Sequence, residues 1–205
     1  LFIISIGDLE TDIKSIPFYK MEQNPPEEER FITNVLDLTA LVHELASICW
    51  DAGRKDINPQ LVLFAENYLE GYDPKKLIDV FIRYSHNFWD QIKNRDEIFF
   101  IENAHVIFKH LPVDSSNINA FKVFFTAKDE NGNNIIEEDD RMAIWDIFES
   151  LVKICIKFIH RVRGVKLVST KKGLRPAYIE KKYPKIKVKE LAKLWKIDLP
   201  MPGQD

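Results

Sequence analysis

The residues with the chemistry to act are few, and their spacing argues against most of what they could do. His43-Glu44 opens what could be the pattern H-E-x-x-H, in which two histidines one helical turn apart hold zinc and the glutamate activates water. The place of the second histidine is taken by Ser47, so the metal would lack a ligand. His105 and His110 are five residues apart, a spacing that does not stack two rings on one helix face. His86 stands near Trp89 and Asp90, as expected of a hydrogen-bonded packing group, with no cysteine, serine or second histidine at a motif spacing. Residues 127–138 invite comparison with a calcium loop: with Gly132 sixth, Asp129 and Asn131 fall third and fifth and Glu138 twelfth. Position one would then be Ala127, and position eight, where an apolar residue belongs, is Asn134. A tight turn leading into a helix is the better reading.

Glu137, Glu138, Asp139 and Asp140 are consecutive, and four consecutive helical residues point in different directions. They suit a solvated first turn, where carboxylates favour the positive end of the helix dipole. Neither G-x-G-x-x-G nor a phosphate-cradling G-K-S/T occurs. The reading is therefore of a non-enzymatic chain with no catalytic residue, no metal ligand and no cofactor. A site assembled from dispersed residues such as His86, Asp90, Arg95 and Glu102 is the remaining enzymatic option, and it would need a concave pocket.

Charge is the clearest large-scale signal. The net charge of −3 divides unevenly: residues 165–205 carry eleven Lys or Arg against four Asp or Glu, hence +7, and the remainder eighteen against twenty-eight, hence −10. The candidate partner-binding residues lie in this basic stretch. Lys171, Lys172, Arg175, Lys181, Lys182, Lys185 and Lys187 supply charge, and Tyr178, Tyr183, Leu191 and Trp195 supply contact area. Such a mixture could track a nucleic-acid backbone or dock on the acidic surface of another protein subunit. Its last part, with Val188, Leu191, Ala192 and Trp195 on one side, reads as a short helix that sits in a partner's groove at the end of an extended arm. The same phrase, VKELAKLW, is similar to the first helix of a helix-turn-helix, but only IDLPMPGQD follows it here, so that reading fails unless the chain continues. Protein docking is favoured over nucleic acid, and truncation at Gly164 is expected to leave the body folded.

The elements that would carry these residues are helical. A chain of 205 residues, 45% hydrophobic and 12% aromatic, supports one good core. Ile144, Phe148, Leu151, Cys155, Phe158 and Val162 recur in steps of four and three and predict a long central helix ending at Gly164. It is apolar on most sides, so other helices should cover it. A polar stripe of Asp146, Glu149, Ser150, Lys153 and Lys157 argues against a membrane span. Phe31, Val35, Leu38, Val42, Leu45 and Cys49 repeat the pattern over residues 25–52. Asn24-Pro25, Asn58-Pro59 and Asp73-Pro74 each place a capping side chain before a proline suited to a first helical turn. Helices are expected over 25–52, 59–70, 74–93 and 97–110, with Asp96 capping the last, then a short one through Phe124 and Phe125. Cys49 and Cys155 both fall on apolar seams and read as reduced core thiols. Residues 1–6 read as an extended segment, too short and too lacking in basic residues for a signal peptide. No run approaches eighteen apolar residues. The fold is thus expected to be all-α: an extended N-terminal arm (1–23), a bundle of about six helices (24–164) and a basic C-terminal arm (165–205).

One segment carries a family resemblance. Residues 85–112, SHNFWDQIKNRDEIFFIENAHVIFKHLP, resemble helical proteins of large icosahedral double-stranded DNA viruses in His86, Phe88-Trp89, Arg95-Asp96-Glu97, Phe99-Phe100, Asn103 and Ile107-Phe108. The Lys-, Ile- and Asn-rich composition is in keeping. The resemblance covers under a fifth of the chain and implies a minor capsid protein on the inner face of the capsid, stapling major and other minor capsid subunits through its termini. That family is not defined by catalytic residues, and none carries over. The alternative is a helical nucleic-acid-associated protein that binds through its Lys-rich arm.

Overall fold

The computed structural model describes residues 25–60, 62–63, 69, 71–107, 124–162, 165–170, 173–178, 183 and 185–199. The N-terminal arm, Asn24, most of the helix expected over 59–70 and the start of the one before Phe124 lie outside them. Two long antiparallel helices form the frame, α1 (Glu27–Asp51) and α5 (Glu138–Val162). Between them in sequence come α2 (Pro74–Ser85), a 3₁₀ turn (His86–Phe88), α3 (Trp89–Lys93) and α4 (Glu97–Ile107). After α5, β1 (Val165–Thr170) and β2 (Gly173–Tyr178) pair as an antiparallel hairpin, and α6 (Val188–Leu194) follows. The body is an all-α bundle. The extended stretch after Gly164 pairs with itself, Val165 opposite Tyr178 and Thr170 opposite Gly173.

α5 carries the core. Ile144, Leu151, Cys155 and Phe158 of its expected seam are buried, and Phe148 and Val162 are half-buried against the same clusters. Its C-terminal half packs with Phe31 of α1, Ile78 and Ile82 of α2, and Trp89 and Ile92 of α3. Its N-terminal half shares a second cluster with Leu45, Ala46 and Cys49 of α1, and with Ile57, Phe124 and Phe125. Charge fixes the antiparallel register: Arg161 Nε lies 2.6 Å from Glu27 Oε2, and its Nη2 donates to Glu28 Oε2. By length and composition α1 is, among the described residues, long and apolar enough to cross a membrane. Asp37 and Glu44 interrupt that stretch, and Phe31, Leu45, Ala46 and Cys49 are spent on the core clusters.

The helix ends follow the sequence signals, with one exception. Asp73 Oδ1 accepts from Lys75 N (2.9 Å), Asn58 Oδ1 from Gln60 N (3.0 Å) and Asp96 Oδ1 from Phe99 N (3.0 Å). α1 instead starts two residues after Pro25, with Pro26 at the cap and no capping side chain. α1 ends in a Schellman motif, Arg54 N bonding Cys49 O and Gly53 N bonding Trp50 O around a left-handed Gly53 (φ +91°). The same two bonds close α3 around Arg95 and α6 around Lys196, both at φ +52°, positions that glycine fills at lower cost.

The helix expected over 74–93 is broken. His86 Nδ1 reaches the carbonyls of Ile82 (3.0 Å) and Arg83 (3.2 Å), and Trp89 Nε1 donates to Ser85 Oγ (2.9 Å). These side-chain bonds accompany the tightening to 3₁₀ geometry. The buried line on this stretch is Ile78, Ile82 and Trp89, and Tyr84 is on the surface.

A larger departure concerns the C-terminal stretch. Tyr183, Ile186, Val188, Ala192 and Trp195 are buried in the main cluster beside Leu151–Ile159 of α5. Tyr183 OH also donates to Asp79 Oδ1 on α2. The short helix does fill a groove, but the groove belongs to its own chain. Tyr183 and residues 185–199 are part of the body because every apolar position on one side of α6 has a core to enter.

Candidate docking groove

α6 is amphipathic in the strict sense. While Val188, Ala192 and Trp195 face the core, Lys185, Lys187, Lys189, Lys193 and Lys196 stand in solvent. The core contacts seat α6 beside the 3₁₀ turn and α3. Between them runs an open groove of about 480 Å³. One wall is His86 and Asp90, from the 3₁₀ turn and α3; the other is Lys185, Ile186, Lys187 and Glu190 with Leu191 and Leu194. Leu194 is 42% exposed, one of the few large apolar side chains so placed. Lys187 Nζ lies 3.2 Å from Glu190 Oε2, a pair exposed on both sides and weakly held. His86 Nδ1 is committed to backbone carbonyls, which only accept, so this nitrogen carries the proton and Nε2 is left for another partner.

The sequence candidates divide around this groove. Lys185, Lys187 and Leu191 line it, together with His86 and Asp90 from the dispersed enzymatic set. Tyr183 and Trp195 are buried in the core, so their contact area serves the fold and is withdrawn from any partner. Arg175 and Tyr178 sit on β2 opposite Val168 and Val165. Lys171, Lys172, Lys181 and Lys182 lie outside the described residues. Glu190 and Leu194 went unnoticed in the sequence. Leu194 carried a readable signal, since it is apolar yet off the seam of Val188, Leu191, Ala192 and Trp195.

The other dispersed candidates are engaged elsewhere. Arg95 Nη2 contacts Asp146 Oδ1 (2.5 Å) and Glu149 Oε1 (2.8 Å) on α5, and not the neighbouring Asp96 or Glu97. Glu97 pairs instead with Arg141 (2.7 Å), and Glu102 is exposed on α4. Burial pushes the Glu97 carboxyl above its usual value, Arg141 opposing and Glu138 adding to the rise. Glu97 also borders a void of about 10 Å³ among Phe100, Ile101, Phe125 and Trp145, room for one water at most.

The remaining motifs resolve into structure. Asp129 Oδ1 accepts from Asn133 N (2.8 Å) and Asn131 N (2.9 Å), and Gly132 turns the chain at φ +85°. The backbone amide of Asn133, then its side chain and Asn131, hold the Asp129 carboxyl below its usual value. Its oxygens close a turn that leads into α5, where Glu137 N donates to Asp140 Oδ2 (3.3 Å). Cys49 and Cys155 are buried free thiols, and burial raises both, Cys155 strongly. Among the described residues no group of three or more His, Cys, Asp or Glu is placed to hold a metal.

Comparison with known proteins returns no match to a family model, a curated protein or a solved structure.

Proposed function

We propose that this chain is a non-enzymatic assembly protein that joins neighbouring protein subunits through the groove beside α6. The observation that carries the reading is the groove's make-up: Ile186, Leu191 and the exposed Leu194 line it beside charges of both signs, and it is open to solvent. Apolar side chains set among polar and charged ones are how protein-docking surfaces are built. The resemblance of residues 85–112 to minor capsid proteins supports a virion shell as the setting, with capsid subunits as the partners. The exposed lysines of α6 also support the alternative, a nucleic-acid contact whose affinity would fall steeply with salt.

A photo-cross-linking side chain at position 194, in the groove, with a control at position 33 on exposed α1 surface, separates the two in the native assembly. Protein adducts from 194 and not from 33 are expected. Adducts with nucleic acid alone would replace the reading with the alternative, and adducts from neither position would remove the groove from any contact.

A further inference from the structure

The core takes one side of α6 and the groove a second; a third carries lysine alone. Lys189 and Lys193 stand one helical turn apart, and both are exposed. Lys196 extends the row. Its backbone N bonds Lys193 O (3.3 Å) as the helix closes, and its side chain is exposed. None of the three lines the groove. Among the described residues none of them holds a carboxylate, whereas Lys187 is paired with Glu190 at the groove's edge. Asp198, the next acid in sequence, comes after the row.

Lys196 is the telling member. It sits at φ +52°, in the left-handed region that glycine fills at lower cost. Arg95 is placed the same way, and its guanidinium is tied to Asp146 and Glu149. Lys196 has no such tie among the described residues. A strained position that keeps a charged side chain with no partner in the fold points to a partner outside it.

The chemistry of the row selects that partner. A membrane-surface helix keeps an apolar face for lipid, and here Val188, Ala192 and Trp195 are buried in the core. A protein-docking patch supplies apolar contact area and is poor in lysine, and this row is lysine only. Evenly placed cations without an apolar centre match an evenly charged polyanion. From Lys189 to Lys196 the helical rise is about 10 Å, three steps of one duplex strand at about 3.4 Å each. We infer that Lys189, Lys193 and Lys196 seat the phosphate backbone of double-stranded nucleic acid, without reading its sequence. The contact is additional to the groove, so one short helix serves two partners from two sides.

Fluorescence anisotropy of a short labelled DNA duplex with the full chain tests it. Each phosphate neutralised contributes about −0.9 to the slope of log affinity against log salt. Three give about −2.7, a loss of about fortyfold between about 50 and 200 mM salt. Lys189→Gln with Lys193→Gln should leave a slope of about −0.9. Lys76→Gln with Lys128→Gln, exposed on the body, should leave it at the parent value. Lys196→Gly separates binding from folding: it relieves the strained turn, so it should melt above the parent while its slope falls to about −1.8. Shuffling the duplex sequence should change affinity little. No binding at about 50 mM salt, a slope that the α6 variants leave unchanged, or an equal loss in the control pair would overturn the contact. Binding to phosphatidylserine vesicles and not to duplex would overturn it in favour of a membrane. Protein cross-links from position 194 that persist in the Lys189→Gln, Lys193→Gln chain would uphold the groove independently, so either reading can fail without the other.

Discussion

At the scale of residues, the ion pairs that matter are those that join distant parts of the chain. Glu28 is the sole charged side chain counted as buried among the described residues, at 6% exposure. Burial alone would raise its carboxyl, but the Arg161 hydrogen bond, a backbone hydrogen bond and the charges of Arg161 and Lys75 outweigh it, so the net shift is downward. A carboxyl lowered on folding adds stability that is complete above its unfolded value, near 4.5, and is lost as pH falls through the lower folded value. Glu28→Gln should therefore be less stable than the parent at neutral pH, and the gap should close in acid. Urea denaturation of both between neutral pH and pH 3 reads this out. Glu97, shifted the other way, is common to both and cancels. Little of this pairing was legible in advance. That Arg161 would suit a helix C-terminus follows from the sequence, but that Glu27 and Glu28 would meet it depends on the antiparallel packing of two helices more than a hundred residues apart.

At the scale of elements, periodicity was a good guide wherever a helix is long. The seams of α1 and α5 are buried or half-buried as spaced, and Asp73, Asn58 and Asp96 cap as their positions imply. It failed at residues 85–89, where side-chain hydrogen bonds compete with the helix. The end of α3 holds the sharper consequence. Arg95 is at φ +52°, which costs a non-glycine residue about 1–2 kcal/mol, while its guanidinium ties that corner to Glu149 and Asp146. Arg95→Ala keeps the strain and loses the tie, so it should cost about 1–2 kcal/mol. Arg95→Gly loses the tie but relieves the strain, so it should melt above the alanine variant and below the parent. Equal melting of the two variants would mean that the left-handed turn stores no strain.

At the scale of the molecule, the tail illustrates what sequence conceals. Its lysines dominate the composition and suggest an arm, whereas the apolar minority decides where it goes. The spacing of Val188, Leu191, Ala192 and Trp195 shows that a groove is wanted, and nothing local says whose. Because the groove is the chain's own, truncation should be far from harmless. Each large side chain fully buried is worth about 1.5–3 kcal/mol, so losing Tyr183, Ile186, Val188 and Trp195 removes on the order of 10 kcal/mol, comparable with the whole stability of a domain, about 5–15 kcal/mol. A chain ending at residue 182 should lose its cooperative thermal transition and bind a hydrophobic dye. If it melts like the parent, the C-terminal segment is an accessory and the arm reading returns.

The order of these contacts also bears on how the protein is made. Glu27 finds its partner 134 residues later, and Asp79 meets Tyr183 after 104 more have been added. Two walls of the main core, α5 and the segment carrying α6, leave the ribosome after α1, α2 and α3. Until then Phe31, Ile78, Ile82 and Trp89 lack the cover these walls give, and the nascent chain carries an open apolar face.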